Sequence, residues 1–302
     1  MVKLQIGYLS TLYHTSFQIK NIQTKIQGNT LEWKLFSTGP AMLEAFSSGE
    51  IDLGYIGLPP VIIGLSRGLK LKCVAGGHIE GTVLVATEEF DSYNNSTDID
   101  SLISQFKGKT IGVPSKGSIH DVILRKITAG TDIKIKNYPW ADFIPSALQD
   151  GAIDAGVGTP ALAVASSHLA STHIIIPPNF LWPWNPSYGI VSSEDLINQN
   201  PEFIKDFLVN HEKMCNFIKN SPIQAAEIAT KELGIKNVNF GVEIFKISPG
   251  YCASLPPEYI ESSLKFVPEL QKQGYIESKF NKSDIFYTEI IKEVHPENHH
   301  YK

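Results

Sequence analysis

Two stretches of this 302-residue chain repeat one order of residues, AFSSGEIDLGYIGLP at 45–59 and ALQDGAIDAGVGTP at 147–160. Each begins with residues that favour a helix and continues through a glycine suited to a helix C-cap. An Ile-Asp pair, a short apolar strand and a Gly-x-Pro sequence follow in both. This internal repeat predicts two similar α/β units, one in each half of the chain.

The segments around the repeats alternate between apolar strands and amphipathic helices. Strands are predicted at 3–9, 31–36, 51–56, 69–75, 82–87, 110–113 and 134–138, and helices at 41–48, 58–67 and 119–127. The last third is mostly helical, with helices at 202–234, broken at Ser221-Pro222, and at 257–274 and 282–294. The order indicates open α/β sheets followed by a helical extension.

Composition and charge exclude several classes of protein. Hydrophobic residues make up 42% and charged residues 19% of the chain, as in ordinary globular proteins. The net charge is −5 and there are only two arginines, Arg67 and Arg125, so we expect no nucleic-acid partner. The single cysteines Cys73, Cys215 and Cys252 fit buried free thiols better than a disulfide framework.

The amino-terminal residues 1–7 are typical of a strand and not of a signal peptide, and no stretch approaches the ~18 apolar residues of a membrane span. Two localisations remain open at this stage. Either the chain stays in the cytoplasm, or it is the mature part of an extracytoplasmic precursor.

Five loops follow the predicted strands, at 10–14, 57–59, 77–81, 115–118 and 158–160. Ligands of open α/β sheets bind beyond the carboxyl ends of the strands, where helix N-termini offer free N–H groups. If the two units face each other, all five loops line one cleft.

Four segments, 6–10, 49–57, 112–120 and 151–155, follow one another in an order that resembles a known family. These are the substrate-binding proteins of the nitrate, sulfonate and taurine class of ABC importers, which has thiamine-pyrimidine relatives. The resemblance extends over nearly the whole chain, including the helical tail. It implies a two-lobed type II periplasmic-binding-protein fold, each lobe an open mixed sheet flanked by helices, with a helical C-terminal extension.

The resemblance also implies domain bounds and partners. Lobe 1 would comprise 1–88 and 189–302 and lobe 2 would comprise 89–188, with crossings and a hinge near 86–90 and 186–191. The protein would capture a small solute, a sulfonate, a nitrate-like anion or a thiamine-pyrimidine-like heterocycle. It would act as a monomer without a cofactor, together with an ABC permease if it is extracytoplasmic.

The cleft loops of the family, carried over onto this sequence, give most of the ligand-binding candidates. Both arginines are predicted on helix bodies, so Lys116 and helix N-termini would serve an anion. Aromatic residues near the second crossing, above all Trp182, Trp184 and Tyr188, could stack on a flat heterocycle. The full set of candidates is Ser10, Thr11, Tyr13, His14, Gly57, Leu58, His78, Ser115, Lys116, Gly117, Ser118, His120, Thr159, Trp182 and Tyr188.

Two alternatives are kept open. His14, His78 and His120 lie on three different cleft loops and could together bind a metal, although hydrogen bonding is the commoner role for such histidines. A cytoplasmic enzyme of the same fold, thiamine-pyrimidine-synthase-like or menaquinone-pathway-like, could use that metal. The cysteine-rich motif of the first enzyme class has no counterpart here, and no hydrolase, kinase or dehydrogenase motif stands in its required context.

Overall fold

The computed structural model describes residues 3–22 and 25–301. Eleven strands lie in this part of the chain. They are β1 (Lys3–Leu9), β2 (Lys25–Ile26), β3 (Asn29–Phe36), β4 (Leu53–Ile56), β5 (Leu71–Ile79), β6 (Val83–Thr87), β7 (Thr110–Pro114), β8 (Lys134–Tyr138), β9 (Ala155–Gly158), β10 (Thr172–Ile176) and β11 (Pro186–Ser193).

These strands form two mixed sheets. The first lobe is built on a six-stranded sheet in the order β2-β3-β1-β4-β11-β5, and the second on a five-stranded sheet in the order β10-β6-β9-β7-β8. In each sheet the repeat-bearing strand runs parallel to a central neighbour, β4 beside β1 and β9 beside β7. The predicted fold class, two open mixed sheets with flanking helices, is confirmed.

Helices cover both sheets. The first two thirds of the chain hold α1 (Ser16–Ile22), α2 (Gly39–Ser47), α3 (Leu58–Ser66), α4 (Ile99–Ser104), α5 (Ile119–Ile127), α6 (Ile144–Gln149), α7 (Pro160–Ala170), α8 (Pro178–Leu181) and α9 (Glu194–Gln199). The extension holds α10 (Pro201–Asn220), α11 (Pro222–Glu232), α12 (Val238–Ile247), α13 (Pro257–Leu264), α14 (Phe266–Lys272), α15 (Lys282–Ile285) and α16 (Glu289–Val294). In the described part of the chain no helix is both long and apolar enough to span a bilayer.

The two segments that repeat in the sequence also have the same local structure. Gly49 and Gly151 end α2 and α6 with φ of 69° and 66°, the left-handed conformation that favours glycine. The carboxylate of Asp52 accepts the backbone N–H of Gln5 at 2.9 Å, and that of Asp154 accepts the N–H of Thr110 at 2.7 Å. Each aspartate thus ties its own strand to the neighbouring parallel strand.

The crossings between the lobes lie earlier in the chain than the sequence predicted. β6 pairs along its length with β9 of the second sheet, and β11 pairs with β4 and β5 of the first. The chain therefore crosses at 80–82 and 177–185, and not at 86–90 and 186–191. The first crossing is only three residues between two buried strands and the second contains the short helix α8, so the pattern of apolar residues alone could not locate the change of sheet.

Three clusters of buried side chains stabilise this arrangement. The largest extends across both lobes and includes Met42, Ile111 and Phe266, while smaller clusters fill the first lobe around Phe207 and the second around Ile144. The three cysteines are buried and free, as predicted. The predicted helix 282–294 is two short helices, because Phe286 and Tyr287 between them bridge to Cys73 of β5.

Candidate functional site

A cavity of about 70 Å³ lies between the lobes, at the strand ends that the repeat predicted. Its size corresponds to about five water-sized spheres, so it suits a solute of few non-hydrogen atoms. Side chains and backbone from both lobes enclose it. The predicted residues that line it are Ser10, Thr11, Tyr13, His14, Gly57, Ser118, His120 and Thr159.

Four helices begin at this cavity. Their N-cap residues, Thr38 for α2, Gly57 for α3, Ser118 for α5 and Thr159 for α7, all line it. The first two helices belong to the first lobe and the last two to the second. A helix N-terminus carries a partial positive charge and unpaired N–H groups, so the four together favour an anion or a strongly polar oxygen.

His120 faces the cavity at the start of α5 and is connected to the crossing segments. Asn185 donates its amide N–H to the Thr82 hydroxyl at 2.8 Å, and the Thr82 oxygen lies 3.0 Å from Nδ1 of His120. The hydroxyl proton of Thr82 can donate to Nδ1 in the tautomer that carries the imidazole proton on Nε2. Burial lowers the pKa of His120 to about 4, so the ring is neutral at physiological pH.

His14 forms the opposite, first-lobe side of the cavity. Its ring centroid lies 4.3 Å from that of Tyr188 and 5.5 Å from that of Tyr55. Burial, followed by repulsion from His78 and His211, lowers the pKa of His14 well below its usual value. His14 is therefore a neutral polar group in an aromatic wall.

Asp142 is the one acidic residue among the described residues that line the cavity. It comes from the single 3₁₀ turn Ala141–Phe143, and the Ser10 hydroxyl donates to its carboxylate over a long 3.5 Å. Burial raises the pKa of Asp142. This carboxyl group can accept a hydrogen bond from an N–H or O–H donor of the solute. The helix N-termini, in contrast, favour an acceptor group of the solute.

The predicted loop 115–118 contributes less than expected. The carboxylate of the buried Asp121 accepts the Gly117 N–H at 3.0 Å and also bonds Arg125, which turns the loop away from the cavity. Ser115, Lys116 and Gly117 therefore do not line the cavity, and Lys116 is exposed with its ammonium 6.0 Å from the ring of Tyr275. The expectation that Lys116 serves an anion is wrong for this arrangement.

Four other predicted residues lie behind the cavity wall or away from it. Leu58 is a core side chain at the start of α3, and Tyr188 is buried under Tyr13 and His14. Trp182 stacks on Phe266 with centroids 4.0 Å apart and donates its indole N–H to Ser262, so it does not stack on a ligand. The fourth is His78.

His78 donates from Nε2 to the Ser248 carbonyl at 2.8 Å, and burial lowers its pKa to about 4. His14, His78 and His120 do not bring their ring nitrogens together. Within 3–22 and 25–301, the one group of metal-type ligand atoms that converge lies elsewhere, at Glu212, Cys252, His295 and His300. The three-histidine metal site is therefore not formed.

Sequence reasoning missed several polar residues of the cavity, namely Ser37, Thr38, Asp142 and Ser187. Thr38 had a usable signal, because the Thr38-Gly39-Pro40 sequence after β3 resembles the other N-caps followed by proline. Ser187 has no such signal in the sequence. Its hydroxyl accepts the N–H of Gly81, in the first crossing, at 2.6 Å, a contact between residues far apart in the chain.

The comparisons with known proteins agree with this architecture. A Brucella abortus protein described as a binding protein is 25% identical over 254 residues, which are 80% of this chain and 75% of its own length. The alkanesulfonate-binding protein SsuA from Xanthomonas axonopodis pv. citri, solved with MOPS, superimposes with a TM-score of 0.79 at 17% identity over 95% of this chain and 99% of its own. The nitrate-binding protein NrtA from Synechocystis PCC 6803 gives 0.76 at 12% identity over 97% and 88%. Residues 1–231 match the NMT1-like family, and the chain belongs to that family.

Proposed function

We propose that this protein is the solute-binding component of an ABC importer and that it holds a small solute with an oxyanion group between its lobes. The observation that carries this proposal is the convergence of four helix N-termini, two from each lobe, on one enclosed cavity. Because each lobe supplies two of the four helix N-termini, the solute is bound fully only when the lobes are together. The similar alkanesulfonate-binding structure was solved with the sulfonate MOPS, and the other similar structure is described as nitrate-binding, so both are named for oxyanions.

The chemistry of the cavity narrows the solute further. No lysine or arginine is among the described residues that line it, so the oxyanion is held by N–H and O–H groups and not by an ion pair. Asp142 at the same cavity favours a solute that also carries an N–H or O–H donor. Taurine, which carries both a sulfonate group and N–H donors, fits this description better than nitrate does.

His120 is the side chain that we expect to donate to the solute. In the tautomer in which Nδ1 accepts from Thr82, Nε2–H is available to the solute oxygen, and this is the tautomer that we propose. The same Thr82 is held by Asn185 of the second crossing, so the ligand-binding ring and the two crossings form one hydrogen-bonded chain. We infer that 80–82 and 177–185 act as the hinge and that the closed lobes dock on a permease.

Calorimetric titration of the purified chain tests the proposal, with nitrate, sulfate and taurine as probes and native mass spectrometry to detect a solute retained on purification. We expect one of the probes, or a retained solute with an oxyanion group, to bind with 1:1 stoichiometry. The NMR spectrum of the released solute should be unchanged, which separates binding from catalysis. A protein that retains nothing and binds none of the three probes would overturn the proposal.

A pair of variants locates the site. His120→Leu removes the proposed Nε2–H donor and should weaken binding about threefold to tenfold, the effect of one lost hydrogen bond. His168→Leu in the same lobe removes an exposed histidine and should leave the affinity unchanged. Equal affinities of the two variants would remove His120 from the site.

A further inference from the structure

A second cluster of polar side chains lies outside the interlobe cavity, where the end of the chain returns to the first lobe. Glu212 comes from α10, Cys252 from the segment before α13, and His295 and His300 from the residues after α16. One ligand atom from each, Sγ of Cys252, a ring nitrogen of each histidine and a carboxylate oxygen, lies within 4.8 Å of all the others. None of the four lines the interlobe cavity.

The separations are close to those of a tetrahedral metal site. Sγ of Cys252 lies 3.4 Å from Nε2 of His295, and that nitrogen lies 3.9 Å from Oε1 of Glu212. Zinc bonds of usual length place tetrahedral ligand atoms about 3.4 Å apart. Nε2 of His300 lies 2.6 Å from Oε1 of Glu212, so this one pair has to separate by less than 1 Å.

Hydrogen bonds around the cluster hold two of the ligands in the required orientation. Nδ1 of His295 donates to the Glu297 carbonyl at 3.1 Å, which leaves Nε2 as a free lone pair directed at Cys252 and Glu212. The second oxygen of Glu212 accepts the Ala253 N–H at 2.9 Å. Backbone partners of this kind are typical around metal-binding histidines and carboxylates.

The electrostatics near His300 are compatible with a metal. Lys219 donates to the His300 carbonyl and also lies 3.2 Å from Nδ1 of His300. Metal binding through Nε2 moves the imidazole proton to Nδ1, and because an ammonium cannot accept a hydrogen bond, Lys219 then has to leave Nδ1 and keep only its bond to the carbonyl. An open groove beside His295, which Ser254 and His299 also line, gives the cluster access to solvent.

We propose that Glu212, Cys252, His295 and His300 form a structural Zn²⁺ site that fixes the chain end to the first lobe. One thiolate, two imidazoles and one carboxylate suit zinc better than the oxygen-only sites of Mg²⁺ or Ca²⁺. Four protein ligands leave no open position, so the site is structural and not catalytic. The metal would hold residues 295–301, whose last aromatic residue, Tyr301, is buried and donates its hydroxyl to the Ser254 carbonyl.

The test uses the full-length protein, stripped of metal with a chelator and titrated with Zn²⁺ against a chromophoric competitor. We expect one equivalent to bind, and Co²⁺ in its place to show the near-ultraviolet thiolate charge-transfer band and the intense visible bands of tetrahedral Co²⁺. Binding should raise the Tm of the protein, since zinc binds only the folded chain. The absence of any stoichiometric Zn²⁺ binding would overturn the proposal.

Variants assign the ligands. Cys252→Ser should abolish the thiolate charge-transfer band, and His300→Gln should weaken Zn²⁺ binding at least about tenfold. His300 is partly exposed, so its variant tests the proposal even if Cys252→Ser fails to fold. His299→Gln is the matched control and should bind Zn²⁺ as the wild type does. Unchanged affinity in both Cys252→Ser and His300→Gln would place the metal elsewhere.

Discussion

The two repeats are alike up to the end of their strands and differ at the helix that follows. Asp52 and Asp154 make the same bond to the neighbouring strand, and the next helix starts six residues after each aspartate. The N-cap of that helix is Gly57 in the first lobe and Thr159 in the second. Both residues line the interlobe cavity, so the lobes share a frame and differ where they meet the solute.

The difference has a steric reason. A Cβ atom on Gly57 would lie 3.4 Å from Cβ of Ile119 in the opposite lobe and 3.5 Å from the Ser187 carbonyl oxygen. A Cβ atom would thus already be in van der Waals contact with the second lobe, and the atoms of a larger side chain beyond Cβ would have little room between the lobes. Thr159 has the space for a hydroxyl, which accepts the Leu162 N–H at 3.4 Å. At this position the first lobe thus brings its backbone close to the second lobe, and the second lobe contributes a polar side chain.

The largest effect that we expect concerns one buried histidine of each lobe, His78 and His120. Burial lowers the pKa of each to about 4, below the usual value near 6.5 of the unfolded chain. Their contribution to stability is therefore complete above about pH 6.5 and is lost as the pH falls towards 4. We expect the free energy of unfolding to fall by up to about 3 kcal/mol for each histidine over this window.

Urea denaturation at intervals from pH 7.5 to 4.5 measures this loss. His120→Gln should make the pH dependence shallower, while His168→Gln, at an exposed position, should leave it as in the wild type. A free energy of unfolding that is flat from pH 6.5 to 4.5 would show that neither lobe holds a neutral buried histidine.

The second prediction tests whether the aspartates of the two repeats contribute equally to stability. Asp52→Ala and Asp154→Ala each remove a bond from an ionised carboxylate to a backbone N–H, so each should lower the free energy of unfolding by about 2 kcal/mol. Chemical denaturation of both variants measures the effect. Asp150→Ala, at an exposed position within the second repeat, is the control and should change stability by less than about 0.5 kcal/mol. A large effect in only one repeat would contradict their structural equivalence.

The repeats and their helices could be predicted from the sequence because their signals are local. The helix at 119–127 and the strand at 134–138 have the predicted bounds, since N-caps, glycine C-caps and periodicity act within a few residues. Eight of the candidate residues from the carboxyl-end loops line the cavity, and their part in binding stays a prediction.

What could not be predicted depends on long-range contacts. The loop at Lys116 turns outward because Asp121 also bonds Asn137 of β8 and Tyr275 of the helical extension. Asp142 enters the cavity from a short 3₁₀ turn that has no sequence signature. The cluster of Glu212, Cys252 and His300 joins residues up to 88 positions apart, and no motif spacing indicates it.

The smallest effect on stability is expected from Thr159→Gly, which gives the second lobe the N-cap residue of the first. Glycine is itself an acceptable N-cap, so the free energy of unfolding should fall by only a few tenths of a kcal/mol. The cavity nevertheless loses a hydroxyl, and the affinity for whichever of nitrate, sulfate or taurine binds should fall about threefold to tenfold. The reverse change, Gly57→Thr, should weaken binding more, because its side chain presses on Ile119 and hinders the approach of the lobes. Calorimetric titration of both variants measures this order. If Gly57→Thr bound more tightly than Thr159→Gly, close backbone approach would not be the role of the first lobe at this position.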